Sequence, residues 1–289
     1  MEKFIDLHTH TTKSDGSMTP AELVRYAAEK GLVAVAITDH DTVDGVAEAI
    51  QEGSKAGVEV IAGVEISVDY SPEMHILGYF KDKCYMRLES TLEELRMYRE
   101  IRNPKIINIL SQMGVEISME EVEKKAGESI ISRAHIAKVL VDKGYANDIK
   151  DAFYKFLSPG RPAYVKKDKL APESAIKKII EAGGVPVLAH PIYLNKSYNE
   201  LDELLAHLAK VGLAGIEAYY TENTEEDNRN LVKLAIKNDL LATGGSDFHG
   251  SFKTNIDIGT GYGNLKIPYA ILERLKVELV KHKEKANCD

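Results

Sequence analysis

The sequence is poor in cysteine. Only Cys84 and Cys288 occur among 289 residues, and they are far apart. So few exclude a disulfide framework and a cysteine-ligated zinc finger, and they suit a reducing cytoplasm. Long apolar runs are also missing, which excludes a membrane-spanning helix of about 18 or more apolar residues. Nor is there a signal peptide, since Met1–Glu2–Lys3 leads straight into a strand-like segment. Basic residues are outnumbered: 37 Lys plus Arg against 45 Asp plus Glu give a formal net charge of −8. That balance argues against a broad basic face for nucleic acid or for an anionic membrane. What is present is core-forming. Hydrophobic residues at 44% and charged residues at 28% exclude disorder, collagen and coiled coil.

Short apolar runs alternate with amphipathic stretches. Strands are expected at Phe4–Leu7, Val33–Thr38, Val58–Ala62 and His75–Phe80. Helices are expected at Pro20–Lys30, with Thr19 as N-cap and Gly31 as the stop, and at Asp44–Ala56, ended by Gly57. From about Leu88 to Tyr164 the texture changes to helices alone: Leu88–Met113 with Pro104 as a kink or break, then Glu120–Lys125, Ala134–Lys143 and Ile149–Leu157. After the turn-forming Ser158–Pro162 the alternation resumes. Helices at Pro172–Ala182, Leu201–Val211, Thr224–Asn238 and Ala270–Lys283 interleave with strands at Val185–Ala189, Gly215–Tyr219, Leu240–Thr243 and Ile256–Gly259. Strand–helix repeats of this kind imply parallel strands with crossover helices. The expected architecture is an α/β barrel in two parts, residues 1–87 and 165–289, with a helical insertion over 88–164. A doubly wound open sheet is the alternative.

Strand after strand runs into a ligand-type side chain. Phe4–Leu7 leads to His8 and His10, with Asp15 close behind. Val33–Thr38 leads to Asp39–His40–Asp41, Val58–Ala62 to Glu65, Val185–Ala189 to His190, and Leu240–Thr243 to Asp247 and His249. His75 opens its own strand. In a parallel barrel such positions converge at one mouth. His8 and His10, two apart on extended chain, point to the same side. Imidazoles and carboxylates without thiolate suit catalytic zinc, manganese or iron. Any one of these residues alone is more often a helix cap or a packed core group. Six of the nine histidines at such positions argue against that for the set, with His207 and His282 left as ordinary helix-surface residues.

The segments His8–Thr9–His10 with Asp15–Gly16, Thr38–Asp39–His40, Gly63–Val64–Glu65, His75, Ala189–His190–Pro191 and Ser246–Asp247–Phe248–His249 resemble, in order and over nearly the whole chain, the motif set of the PHP family (polymerase and histidinol phosphatase). The resemblance implies a distorted (β/α)7 barrel with a trinuclear centre of divalent manganese, iron or zinc. On that footing His8, His10, Glu65 and Asp247 hold one ion. Glu65 bridges to a second held by His75 and His190, and Asp15, His40 and His249 hold a third. Glu65, Asp247 and His249 are the implied catalytic residues. Three such ions would add roughly +6 at the mouth and draw phosphate to an acidic protein.

Within the insertion, Ile131–Ala137 and Gly160–Val165 are similar to a bacterial subgroup. Its members hydrolyse nucleoside 3′,5′-bisphosphates to 5′-monophosphates, and some trim short RNA from the 5′ end. The resemblance implies that Arg133 and His135 bind substrate phosphate, with Ser132 beside them and Lys167 as a further contact. Arginine grips phosphate bidentately, and a helix start offers free N–H groups. Arg99 and Arg102 are expected to be solvated or structural. The rivals are a histidinol phosphatase, a non-catalytic metal- or nucleotide-binding module, and a polymerase proofreading module, the last with no polymerase segment beside it. The expected partners are therefore a phosphorylated small molecule or a short RNA end, met in the cytoplasm and away from membranes.

Overall fold

The structure, a computed structural model, describes residues 2–127, 130–166 and 170–288. The first part alternates as expected: β1 (Phe4–Asp6), α1 (Pro20–Glu29), β2 (Leu32–Ile37), α2 (Val46–Ala56), β3 (Glu59–Val68) and β4 (Met74–Phe80). Local chemistry sets the boundaries. Thr19 and Glu22 form a reciprocal capping box ahead of Pro20, which satisfies N–H groups the first turn would otherwise leave bare. Gly57, at φ 73°, ends α2 in the left-handed conformation that glycine adopts without strain.

Four helical segments follow: α3 (Glu89–Gln112), α4 (Met119–Ala126), α5 (Arg133–Asp142) and α6 (Ile149–Ala152), the last running into a π-helical turn at Phe153–Leu157. They bury a cluster of their own that includes Ile106, Leu110, Val122, Ile136 and Leu140. Helix α3 does not break at Pro104. Proline costs it one hydrogen bond, but buried residues on both sides of it, Leu92 and Leu95 before and Ile106 and Leu110 after, hold the axis in place.

The second part is α7 (Pro172–Glu181), β5 (Val185–Leu188), α8 (Tyr198–Val211), β6 (Gly215–Tyr220), α9 (Glu225–Lys237), β7 (Leu241–Gly245), β8 (Ile267–Pro268) and α10 (Tyr269–Lys285). The eight strands form one mixed sheet in the order β7-β6-β5-β4-β3-β2-β1-β8. It nearly closes into a barrel because β1 returns to β7: the Leu7 amide donates to the Gly244 carbonyl (3.2 Å) and the Asp247 amide to the His8 carbonyl (2.9 Å). The barrel interior is filled by Ile5, Leu7, Ala34, Ala36, Leu77, Tyr79, Val185 and Val187 together with Leu272, Leu275 and Leu279 of α10, a helix that touches β1, β4, β5, β7 and β8. The other helices pack on the outside over a second, larger apolar cluster. Among the described residues no helix is long and apolar enough to cross a membrane.

Three expectations need correction. The strands are not all parallel, because β4 runs antiparallel to both β3 and β5. Ile256–Gly259 is not a strand. Gly259 and Gly261 take positive φ and fold the segment into turns, which still bury Ile256 and Ile258. The strand at that end is β8, antiparallel to β1. Finally, Cys84 and Cys288 are bonded to each other, tying the segment after β4 to the tail beyond α10. The fold supplies that proximity, since Arg87 also donates to the carbonyls of Ala286 and Asn287.

Candidate metal centre

The strand ends deliver their ligand-type residues to one mouth. Glu65 is at the centre of them. It lies within β3 rather than beyond it, in register with Leu77 of β4, while Ser67 faces His75. Residues alternate faces along a strand, so Glu65 shares the inner face with Leu77 and Tyr79 of the barrel interior. Its Oε1 lies 2.8 Å from His75 Nδ1 and 2.9 Å from His190 Nε2. Its Oε2 lies 3.3 Å from His8 Nε2, 3.2 Å from His10 Nε2 and 3.0 Å from His40 Nδ1. One carboxylate thus faces two sets of imidazoles, one with each oxygen.

Asp247 and Asp15 complete the ring. Asp247 Oδ1 is 3.2 Å from His10 Nε2 and 3.6 Å from His8 Nε2. Asp15 Oδ1 is 3.4 Å from His249 Nε2 and 3.7 Å from His10 Nδ1, and its Oδ2 is 3.9 Å from His40 Nε2. His10, Asp15, His40 and His249 offer ligand atoms that all lie within 4.8 Å of one another, as do His8, His10 and Glu65, and His40, Glu65 and His75. All nine expected ligand residues are therefore brought together.

The donor set fits divalent metal. Nine buried side-chain polar atoms have no hydrogen-bond partner among the described residues. Six of them are His8 Nε2, His10 Nε2, Asp15 Oδ1, His40 Nδ1, Glu65 Oε2 and His75 Nε2. Buried polar atoms are normally paired, and here the exceptions converge on shared points. His249 Nδ1 donates to the Asp247 carbonyl (2.8 Å), which turns the lone pair of its Nε2 toward Asp15. His190 and Asp247 both adopt positive φ, 24° and 56°, a strained geometry for side chains of their kind and one common where a site fixes them.

Charge at the mouth is strongly coupled. Burial alone would depress every imidazole, and it holds His40 down at about 3. For His10, the nearby carboxylates of Asp247 and Glu65 outweigh burial and lift the ring to about 9. Glu65 and Glu73 do the same for His75, also to about 9, and Glu217, Glu65 and Asp247 raise His8. Despite burial, neighbouring imidazoles hold Glu65 and Asp15 well below the usual carboxylate range, and Lys253 with His249 does so for Asp247. Protons and cations therefore compete for the same lone pairs below pH 9. Apparent metal affinity is expected to rise from neutral pH to about 9, by about tenfold per pH unit for each proton displaced. Titration calorimetry in buffers of different ionisation enthalpy reads the released protons directly. An affinity that stays flat between neutrality and pH 9 would contradict this picture.

Two cavities adjoin the cluster. One, of about 320 Å³, is lined by His40, Glu65, His75, His190, Asp247 and His249 together with Tyr193 and Lys253. The other, of about 150 Å³, is lined by Asp15, His40, His75, Arg99, Arg102 and Arg133, among others. Arg133 comes from the start of α5, where it ion-pairs Glu73 (2.9 Å) and lies over the rings of Phe153 and Tyr164. Ser132 caps that helix and lines the same cavity. His135 does not. Its Nδ1 accepts from the Ser132 amide (3.1 Å), and it lines a separate cavity with Lys13, Lys138 and Phe252. Lys167 lies outside the described residues.

Further residues border the cluster. Of the two expectations for Arg99 and Arg102, solvated or structural, the structure agrees with the second, since both are buried and paired. Arg99 binds Asp41 through Nε (3.0 Å) and Nη2 (2.5 Å). Arg102 donates to the Asn103 side-chain oxygen, and burial followed by repulsion from Arg99 and Arg133 lowers its guanidinium to about 9. Both arginines fall in step with Leu92, Leu95 and Ile106 along α3, a helical spacing that marks them as inward-facing. Lys253 and Tyr220 meet Asp247 Oδ2 at 2.5 and 2.9 Å. Glu217, wholly buried in β6, is an acid inside an otherwise apolar strand, and that was its only signal.

The chain is similar to known proteins. A 5′-3′ exoribonuclease of Haemophilus influenzae is 33% identical over 250 residues, covering 86% of this chain and 91% of that protein. A 3′,5′-nucleoside bisphosphate phosphatase of Chromobacterium violaceum is 32% identical over 257 residues, covering 88% and 90%. A solved structure from Bifidobacterium adolescentis, described as a metal-dependent phosphoesterase, superposes with a TM-score of 0.84 at 31% identity and covers 96% of both chains. The barrel and its His/Asp/Glu mouth define a metal-dependent hydrolase of phosphoric esters. A model of the PHP domain matches residues 6–242, and the chain belongs to that family.

Proposed function

We propose that this phosphoesterase removes the 3′-phosphate of nucleoside 3′,5′-bisphosphates, leaving 5′-monophosphates, and that it also trims short RNA from the 5′ end. The observation that carries this reading is the arginine cavity. Three guanidiniums, Arg99, Arg102 and Arg133, share a lining with Asp15, His40 and His75 of the metal cluster. A substrate with two phosphoryl groups can place one at the cluster and the other among the arginines, whose N–H groups beyond those given to Asp41, Asn103, Leu157 and Glu73 suit phosphate oxygens.

In this reading the cluster holds three divalent ions, of manganese, iron or zinc. His8, His10, Glu65 and Asp247 hold the first, Glu65, His75 and His190 the second, and Asp15, His40 and His249 the third. When bound, such ions lower the pKa of a water nucleophile toward neutrality and offset charge on the phosphoryl oxygens. The protein's own groups do the rest. Tyr220 and Lys253 fix Asp247 from its outer oxygen. Lys253 adds a cation to the larger cavity, and that cavity takes up the nucleoside. The leaving 3′-oxygen receives its proton within the part of this cavity that Asp247, His249 and Lys253 line. Ser132, which caps α5, sets the angle at which Arg133 enters.

The test is phosphate release with added manganese from adenosine 3′,5′-bisphosphate, histidinol phosphate and a short 5′-phosphorylated RNA. The bisphosphate is expected to be turned over fastest, and a faster rate on histidinol phosphate would overturn the reading. Arg133→Ala sharpens it. A charged hydrogen-bond pair contributes about 1.5–3 kcal/mol, so kcat/KM for the bisphosphate should fall by about 10- to 150-fold. The rate on adenosine 3′-monophosphate should change less than about threefold, since that substrate has nothing to place among the arginines. Equal losses on both would remove the two-anchor argument.

A further inference from the structure

Glu217 lies on the inner side of β6 with no exposure to solvent, and both its oxygens are used. Oε1 accepts from His8 Nδ1 at 3.0 Å, and Oε2 accepts from the His190 backbone N–H at 2.8 Å. These two residues come from the two halves of the barrel, just past β1 and β5, and they approach different oxygens of Glu65. The carboxylate is only an acceptor, so it keeps the ring proton of His8 on Nδ1. The Nε2 lone pair then points at Glu65 and Asp247, where it has no hydrogen bond. At His190 the same carboxylate grips the amide of a residue with φ 24°, and so supports the strained turn that aims that imidazole inward.

We infer that Glu217 is a positioning residue that sets two metal ligands at once, the tautomer of His8 and the backbone turn of His190, and thereby couples the two ion positions on either side of Glu65. A carboxylate behind a ligating histidine also makes the ring a stronger donor, and removing such a partner typically weakens metal affinity about 10- to 100-fold. The isosteric Glu217→Gln is the informative change. The His190 amide can only donate, so it demands the carboxamide oxygen. The carboxamide NH2 then faces His8 Nδ1 and drives the ring proton to Nε2, where a ligand lone pair is needed. The reverse orientation sets the NH2 against the His190 N–H and loosens the turn instead. Neither orientation preserves both contacts.

The inference rests on reading the cluster as a metal centre, and the test separates the two. Wild type, Glu217→Gln and Glu217→Asp are stripped, equilibrated by dialysis at fixed free manganese or zinc, and measured for ions bound per chain. Far-UV circular dichroism of each stripped form checks folding. Glu217→Gln should stay folded and bind one or more ions about 10- to 100-fold more weakly. Glu217→Asp, which keeps the charge but withdraws it by one methylene, should fall between it and wild type. In a His8→Ala background the Glu217→Gln effect should shrink, since only the His190 contact is left to lose. A folded Glu217→Gln that holds its ions as tightly as wild type overturns the inference. So does failure of both variants to fold, because the residue is then structural. Wild type that binds no metal would instead sink the metal-centre reading.

Discussion

Asp247→Ala is expected to lower kcat/KM for phosphoester hydrolysis by about 10³ while leaving the barrel folded. The size follows from what the carboxylate touches. Oδ1 faces His8, His10 and His249, and Oδ2 is bonded to Lys253 and Tyr220. Removal withdraws a ligand-type oxygen from three histidines and leaves an ammonium beside them without its counter-charge. Loss of one preorganised electrostatic group at a reacting centre typically costs about 10²–10³, and here a proposed metal ligand goes with it. Position 247 has φ 56°, which alanine tolerates poorly and asparagine better, so Asp247→Asn provides the control for backbone strain. Both variants should be inactive in steady-state assays and retain their far-UV circular dichroism. A folded variant with more than about a tenth of wild-type activity would place the chemistry elsewhere, because a lost catalytic electrostatic contact costs far more than that.

The second large effect is at Glu65. Five imidazoles, those of His8, His10, His40, His75 and His190, lie within 3.3 Å of its two oxygens. Glu65→Ala should therefore remove more than one ion per chain, whereas His75→Ala should remove about one. The contrast is measurable as metal content and as thermal stabilisation. An ion present at about a thousandfold over its dissociation constant stabilises the folded state by about 4 kcal/mol. Wild type should thus gain a large rise in melting temperature on adding metal, and Glu65→Ala almost none. If His75→Ala and Glu65→Ala lost equal metal, Glu65 would not be a bridge.

Most of the clustered His and Asp residues could be read from the sequence because each follows an apolar run and so lies near a strand end, while Glu65 falls inside the longer β3. His75 looked like the exception, since it begins a strand rather than following one. The antiparallel β4 explains it: in a reversed strand the first residue, not the last, reaches the mouth. Strand direction leaves no mark in hydrophobic pattern, so the parallel expectation had nothing local to correct it, although the position of His75 was the clue. For Arg99 and Arg102 the sequence left two readings, solvated or structural, and their spacing with Leu92, Leu95 and Ile106, which points inward, decides for the second. Glu217 makes its contacts across 209 residues to His8 and 27 to His190, and Cys84 meets Cys288 across 204. Such pairings depend on barrel closure, which periodicity does not encode.

The Cys84–Cys288 bond has a consequence for the insertion. It makes residues 84–288 a covalent ring that contains the whole helical segment, the arginines and the second half of the barrel. A protease that cuts a loop between those helices would open the ring without parting it. The cleaved molecule would still migrate as one piece on a non-reducing gel and as two after reduction. The arginine cavity would stay tethered to the metal cluster from both sides, because the two fragments meet across the barrel as well as through sulfur.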